Sequence, residues 1–326
     1  MIPHDHATII NHPDAGFISV AGDDACAFLQ SIITANVEAS TPGACCPSAL
    51  LTPQGRILID MMVYRSTKNK FYVRCDLARR DDLFNRLRKY RLRCPIELAI
   101  EPDLRLYLSI ADKAVNQSRE ETLSETIDHL SKSVEVIMAC SDPRSSDLGT
   151  HILLKGDNIP ATSDKINVWH KNRITNGIPE GAIDLTPERA LMLEAGLDHL
   201  GAVDFDKGCY VGQEVTARTH YRGLVKRRLV PLLITGAPPT PHSDIIWNGK
   251  AIGTSKTTAP NDNGTAVCLA LLKLSDIHTI LDAENIIIKG KNGNEKSGNS
   301  GLTVNNNPAS LAIPDWMMPL PHPKKS

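Results

Sequence analysis

Apolar positions along the chain repeat with two different periods, and each change of period marks a new element. The run Gly16 to Val20 reads as a short strand. Asp23 or Asp24 then caps a helix with Ala25, Phe28, Leu29, Ile32 and Ile33 on one face, the 3.6-residue spacing of an amphipathic helix. Thr52-Pro53-Gln54-Gly55 is a turn, and a strand follows over Ile57 to Tyr64. Lys70 to Cys75 alternates apolar and polar residues, as a half-buried strand should. From Asp76 the period becomes helical, with Leu83, Leu87 and Tyr90 on the apolar side. Pro95 to Ile100 and Leu104 to Ile110 read as strands, Ser118 to Leu130 as a polar helix and Val134 to Ala139 as a strand. This order predicts an α+β lobe rather than a regular βαβ array.

Thr186-Pro187-Glu188 has the marks of a helix start: a capping hydroxyl, a first-turn proline and an acid near the dipole. The helix is expected to run to Leu193. Past Arg222-Gly223 the pattern turns to short strands at Val230–Ile234, Asp244–Trp247, Lys250–Thr254, Thr265–Leu272 and Asn285–Ile288. Asn248-Gly249 is a type I′ hairpin signal. The expected organisation is an α+β region over 1–225 in two lobes, a small antiparallel β-barrel over 226–318, and a flexible tail over 319–326. Gly290 to Gly301, rich in Gly, Asn, Ser and Lys, is expected to be a loop.

Composition narrows the functional classes. The chain has 326 residues, 41% hydrophobic and 22% charged, with a formal net charge of −1. That balance argues against a general nucleic-acid or membrane-surface binder. No apolar run reaches the length of a membrane span. Met1 to Asp14 has neither a signal-peptide nor a transit-peptide pattern, so a soluble cytoplasmic protein is expected. The eight cysteines are scattered without a C-x-x-C pair, which favours reduced thiols and argues against a self-contained metal site. Cys45 and Cys46 are adjacent and read as packing residues whose side chains diverge. Neither G-x-G-x-x-G nor a P-loop is present. The helix after Asp76 carries Arg79, Arg80, Arg86, Arg88, Lys89, Arg91 and Arg93. It reads as a solvated face, with a docking face for an anionic ligand tail or RNA as the other reading.

The densest chemistry lies in Lys207-Gly208-Cys209-Tyr210-Val211-Gly212-Gln213-Glu214, followed by Val215-Thr216-Ala217-Arg218. Two glycines bracket a thiol and a phenol, and Gln213 to Arg218 reads as a helix whose N-terminus faces the loop. Cys209 beside Lys207 and a helix N-terminus predicts a lowered thiol pKa; burial in a tight turn is the other reading. Tyr210 suits the wall of a flat heterocycle, while Glu214 and Arg218 suit either ligand contact or a surface ion pair.

This stretch resembles the K-G-C-Y-x-G-Q-E motif of the YgfZ family, folate-binding proteins related to the T-protein (aminomethyltransferase) of glycine cleavage. Phe28-Leu29-Gln30, Thr34-Ala35-Asn36-Val37 and Leu51-Thr52-Pro53-Gln54-Gly55-Arg56 are similar to its N-terminal blocks. Arg173-Ile174 with Gly177-Ile178-Pro179-Glu180-Gly181, and Pro314-Asp315-Trp316-Met317, are similar to later blocks. The resemblance implies a multi-lobed T-protein-like folate-binding fold with a C-terminal barrel. It implies tetrahydrofolate as cofactor, and the iron–sulfur assembly machinery or its client enzymes as partners. The function implied is support of iron–sulfur cluster assembly or repair, with Cys209 as the functional thiol and no metal ligands assigned. Asp60, Lys207, Tyr210, Gln213, Glu214 and Arg218 are the candidate cofactor-binding residues.

The alternative is folate-dependent aminomethyl transfer. T-proteins carry paired aspartates after a glycine pair; here Ile59 replaces the first aspartate and Arg56 the second glycine, leaving Asp60. Aligning the T-protein R-x-E-A-G block with Arg173 puts Thr175 in place of the pterin-gripping acid, and Leu193-Glu194-Ala195-Gly196 reads as a helix end. Both departures disfavour the transferase. A third class, an unrelated cysteine nucleophile, needs a base such as His170, His199 or His220 beside Cys209, and no known motif supports it.

Overall fold

The computed structural model describes residues 7–111, 134–156, 165–284 and 301–321. The expected helix over Ser118–Leu130, the strand over Asn285–Ile288 and most of the loop after Gly290 lie outside them. The chain packs as two compact units. The first comprises residues 1–51, 59–166 and 201–211; the second comprises 52–58, 167–200 and 212–326.

The first unit holds two antiparallel sheets. Its strands are β1 (Ala7–Asn11), β2 (Ala15–Ala21), β3 (Cys45–Leu51), β4 (Ile57–Thr67) and β5 (Lys70–Asp76), then β6 (Glu97–Ile100), β7 (Leu104–Ala111), β8 (Glu135–Ser141) and β9 (Thr150–Lys155). One sheet runs β3-β4-β5-β2-β6 and the other β1-β7-β9-β8. Phe17, Ile18 and Val20 of β2 are fully buried, as are Phe71 and Val73 of its partner β5. Two helices accompany the sheets, α1 (Ala25–Ile32) and α2 (Arg80–Arg91). The first buries Ala25, Phe28, Leu29 and Ile32, the face its spacing predicts. The second buries Leu83 and Leu87 but leaves Tyr90 39% exposed, so Tyr90 is not on the apolar side. Its basic face is partly neutralised internally. Asp82 accepts from both Arg79 and Arg86 at 2.8 Å, bonds that outweigh desolvation and hold its carboxyl below the usual range.

The second unit is built on a closed barrel. It contains α3 (Ile166–Thr175), α4 (Gly181–Asp184), α5 (Gln213–Arg222), β10 (Arg227–Thr235), β11 (Asp244–Trp247), β12 (Lys250–Pro260), β13 (Thr265–Lys273), α6 (Leu274–Glu284), β14 (Leu302–Val304) and β15 (Asn307–Leu311). The barrel order is β10-β13-β12-β11-β14-β15, closed by β10 against β15. Asn248 (φ 49°) and Gly249 (φ 79°) take the left-handed angles that a type I′ turn needs. At the C-terminal end, Leu320 is buried and the Pro321 carbonyl contacts His278, so the expected tail begins with ordered residues.

One expected helix is absent. Thr186 to Leu193 forms successive turns, with Glu188 at φ 61°. Its backbone groups pair instead with the short 52–58 segment of the same unit: Ile57 donates to the Ala190 carbonyl at 2.9 Å, and Glu188 donates to the Ile57 carbonyl at 2.8 Å. Capping residues supply a start signal, but the backbone hydrogen bonds were taken by a strand distant in sequence.

Candidate functional site

The KGCYVGQE motif is divided between the units: Lys207 to Val211 belong to the first and Gly212 to Glu214 to the second. In the first unit the loop is held by the residues that follow α1. Asp204 Oδ1 accepts from the backbone N–H groups of Asp206 (2.7 Å) and Lys207 (2.9 Å), while Oδ2 accepts from Asn36 Nδ2 at 2.9 Å. Asn36 is held in turn by Gln30 Nε2 at 3.0 Å, and Thr34 Oγ1 donates to the Ala202 carbonyl at 2.6 Å. Gln30, Thr34 and Asn36, noted in sequence as separate motif residues, thus form the anchor of the loop.

Lys207 is buried, and its Nζ donates to the carbonyls of Ile33 (2.8 Å) and Ala35 (2.6 Å). Desolvation lowers its pKa to about 8. Its ammonium therefore fastens the loop to the end of α1 and also lies 5.2 Å from the Tyr210 ring centre. Tyr210 is buried as well, with a hydroxyl that has no hydrogen-bond partner among the described residues and a pKa pushed up to about 12 by desolvation. Cys209 sits between these two buried side chains and is itself exposed, unlike the buried Cys45, Cys75 and Cys268. Beside it, Gly208 has no positive φ, and a Cβ there would meet nothing within 4 Å. The fold does not require a glycine at 208.

In the second unit Gly212 caps α5 in the left-handed region at φ 84°. The helix runs to Arg222, further than the Arg218 end read from sequence. Glu214 and Arg218 are both exposed, with no ion pair joining them among the described residues. Gly55 packs against the start of this helix at φ 73°, where a Cβ would lie 3.1 Å from Thr216 Oγ1. Asp60 lies in the first unit, on β4 near Cys75, whose thiol is pushed up to about 12 by burial and then by the Asp60 charge. His170 Nδ1 accepts from Arg173 Nε at 3.1 Å, and His199 and His220 flank Asp198 at 3.8 and 3.9 Å.

The second unit also holds a cavity of about 360 Å³, within the usual range of roughly 300–1,000 Å³ for ligand pockets. Charged lining residues are Asp184, Arg189, Glu194, Arg227 and Lys256. The placement of Glu194 corrects the reading of Leu193-Glu194-Ala195-Gly196 as a helix end: no helix is present there, and Glu194 lines the cavity. Three bonds from β10 fix it there. The Arg227 N–H donates to the carboxylate, Leu229 N–H to the Glu194 carbonyl at 2.8 Å, and Arg228 Nη1 to the Leu193 carbonyl at 2.8 Å. Desolvation raises the Glu194 pKa, against the lowering charges of Arg227 and Arg56. Asp184 is committed elsewhere, pairing with Arg173 at 2.6 Å and accepting from Thr257 N–H at 2.9 Å. Lys256 is buried, has its pKa lowered by desolvation and donates to Thr186 Oγ1 at 3.2 Å. The cavity therefore offers one acceptor carboxylate among several cations. The E-A-G letters around Glu194 were the available signal for it; the T-protein alignment at Arg173 concealed it.

Known proteins share this architecture. Residues 4–101 match the family described as GCVT N-terminal domain, and residues 226–319 match the CAF17 C-terminal beta-barrel domain. A solved structure, the glycine cleavage system aminomethyltransferase T from Bartonella henselae, superposes with a TM-score of 0.64 at 16% identity, covering 83% of this chain and 79% of that one. The chain is thus a GcvT-domain, CAF17-barrel protein with an α+β multi-lobed fold. Within that class it is related to the IBA57/YgfZ superfamily rather than to YgfZ in particular. The iron-sulfur cluster assembly factor IBA57 of Mus musculus is 33% identical over 246 residues, 70% of this chain and 66% of the relative. The human protein of that name is 30% identical over 68% of this chain and 65% of the relative. The homologue from Coccidioides immitis is 30% identical, and the chain spans 56% of its length. These relatives are all named as mitochondrial, which overturns the expectation of a cytoplasmic protein.

Proposed function

We propose that this chain is a reduced-folate-binding accessory protein of iron–sulfur cluster assembly, with Cys209 as its working thiol. The observation that carries the reading is the exposure of Cys209 on a loop whose neighbouring side chains, Lys207 and Tyr210, are buried. The loop is anchored without using the thiol, which leaves a soft, nucleophilic group free to meet a metal or a partner. The names of the relatives above support the assembly role.

The size and charged lining of the cavity in the second unit support a reduced folate as its ligand. Glu194 would accept the N–H groups of the amino-pyrimidine edge, and Arg189, Arg227 or Lys256 would receive the glutamate carboxylates. Bound tetrahydrofolate supplies a one-carbon carrier. Desolvation in the cavity strengthens the charge-assisted bonds that orient it. Aminomethyl transfer remains the second reading, favoured by the Glu194 position. Against it stands Ile59, buried in the core where a T-protein places an aspartate.

The test is complementation of a deletion strain by the wild-type chain and by Cys209→Ser, read through several iron–sulfur enzymes with melting curves taken in parallel. Lost enzyme activity with an unchanged melting temperature supports the reading. Full complementation by the serine variant rejects Cys209 as the working thiol. In a reconstituted glycine cleavage assay, turnover near that of a true T-protein would favour the second reading.

A further inference from the structure

A pair of thiols lies inside the first unit. Cys45 opens β3 of the five-stranded sheet, and Cys140 lies on β8 of the four-stranded sheet. The two side chains are neighbours, and Cys45 Sγ donates to the carbonyl of Ser141, the residue after Cys140, at 3.6 Å. Cys140 stands in register with His151 on β9, and the His151 ring also neighbours Cys45. The imidazole is held on both sides: Tyr64 Oη lies 2.8 Å from Nδ1, and Asp142 Oδ2 lies 3.0 Å from Nε2. Arg144 pairs with the same carboxylate at 2.7 Å.

We propose that Cys45 and Cys140 are a thiol–disulfide exchange site that takes a low-molecular-weight disulfide and converts to an intramolecular disulfide joining the two sheets. Cys140 is half-buried and Cys45 is buried, which sets their order of reaction. The Cys140 sulfur, as thiolate, attacks one sulfur of the small disulfide. A mixed disulfide forms, and the first small thiolate leaves and takes up the proton that Cys140 released. Cys45 then attacks the Cys140 sulfur and expels the second small thiolate, which takes up the Cys45 proton. Two protein thiols are oxidised and one small disulfide is reduced to two thiols, with no net proton change. Thiol contact and burial push the Cys45 thiol up, so the second step is slow; the fixed His151, whose pKa Asp142 raises against desolvation, favours the developing thiolate. This site is independent of the role assigned to Cys209.

The test incubates the full chain with excess oxidised glutathione and maps its cysteines by non-reducing peptide mass spectrometry. The expected product is a Cys45–Cys140 linked peptide pair, lighter by two hydrogens, formed more slowly than modification of Cys209 and reversed by dithiothreitol. The linked protein should melt several degrees higher, because the cross-link constrains the unfolded chain. With Cys45→Ser, Cys140 should stop at the glutathione adduct; with Cys140→Ser, Cys45 should stay unmodified. The wild-type peptide map decides the matter even if a variant fails to fold. A stable glutathione adduct on wild-type Cys140 with Cys45 free, or no reaction at either while Cys209 is fully modified, overturns the proposal.

Discussion

Asn36 Nδ2 donates to Asp204 Oδ2 at 2.9 Å, joining two residues 168 positions apart. Through this bond the segment after α1 holds the turn that presents Cys209. Removing the amide with Asn36→Ala should lower the unfolding free energy by about 1–3 kcal/mol, the usual cost of leaving a partly buried polar group unpaired. Urea titration would measure it; an unchanged midpoint would show that the turn is held without this bond.

The same bond gives a pH dependence. Desolvation raises the Asp204 pKa, but Asn36, the two loop N–H groups and Lys207 outweigh it and hold the carboxyl below its ordinary value. Its folded pKa is thus below its unfolded one. The contribution to stability is present above the unfolded value of about 4 and is lost as pH falls through the folded value. The stability difference between wild type and Asp204→Asn should therefore shrink below about pH 4. A difference that stays constant through that range would contradict the assignment.

Glu194→Gln should weaken tetrahydrofolate binding at least tenfold, since one of its acceptor oxygens becomes a donor facing N–H groups, a mismatch worth more than about 1.4 kcal/mol. Melting should change little, because the Leu193 and Glu194 backbone carbonyls keep their bonds to β10. Desolvation raises the Glu194 pKa, so wild-type affinity should fall with acidification at a higher pH than an ordinary carboxylate would give. Calorimetric titration across pH tests both statements, and equal affinities for the two proteins would remove Glu194 from the site.

Two glycines should respond oppositely to alanine. Gly55→Ala forces a left-handed φ on a residue with a Cβ and pushes it against Thr216 and Val215, so it should destabilise by about 1–2 kcal/mol. Gly208→Ala meets open space at an ordinary φ and should leave the melting temperature unchanged. It should instead slow the access of bulky thiol reagents to Cys209. Melting curves paired with timed alkylation separate the two effects.

Cys209 should be the first cysteine alkylated by iodoacetamide near neutral pH because it is the exposed one. Peptide mapping at short times would show this. Earlier labelling of Cys75 or Cys268 would mean that the loop and core are arranged differently in solution.

Local sequence was sufficient where local geometry decides the outcome. The apolar spacing of α1 placed Phe28 and Leu29 in the core, and Asn248-Gly249 made its hairpin because few residues accept two successive left-handed angles. The KGCYVGQE stretch and its helix were equally legible, as were the main barrel strands. Short β14 and β15 escaped notice because a strand of three to five residues carries too little period to register. Tertiary structure alone decided the remaining features. Thr186 to Leu193 has helix-start chemistry, yet its backbone bonds to the 52–58 segment, and that choice puts Glu194 in a cavity rather than on a helix. Likewise Asn36 meets Asp204, and Cys45 neighbours Cys140, only because segments distant in sequence pack together. Such contacts depend on which chain segment wins the competition for each hydrogen-bonding group, and no short window of residues contains that competitor.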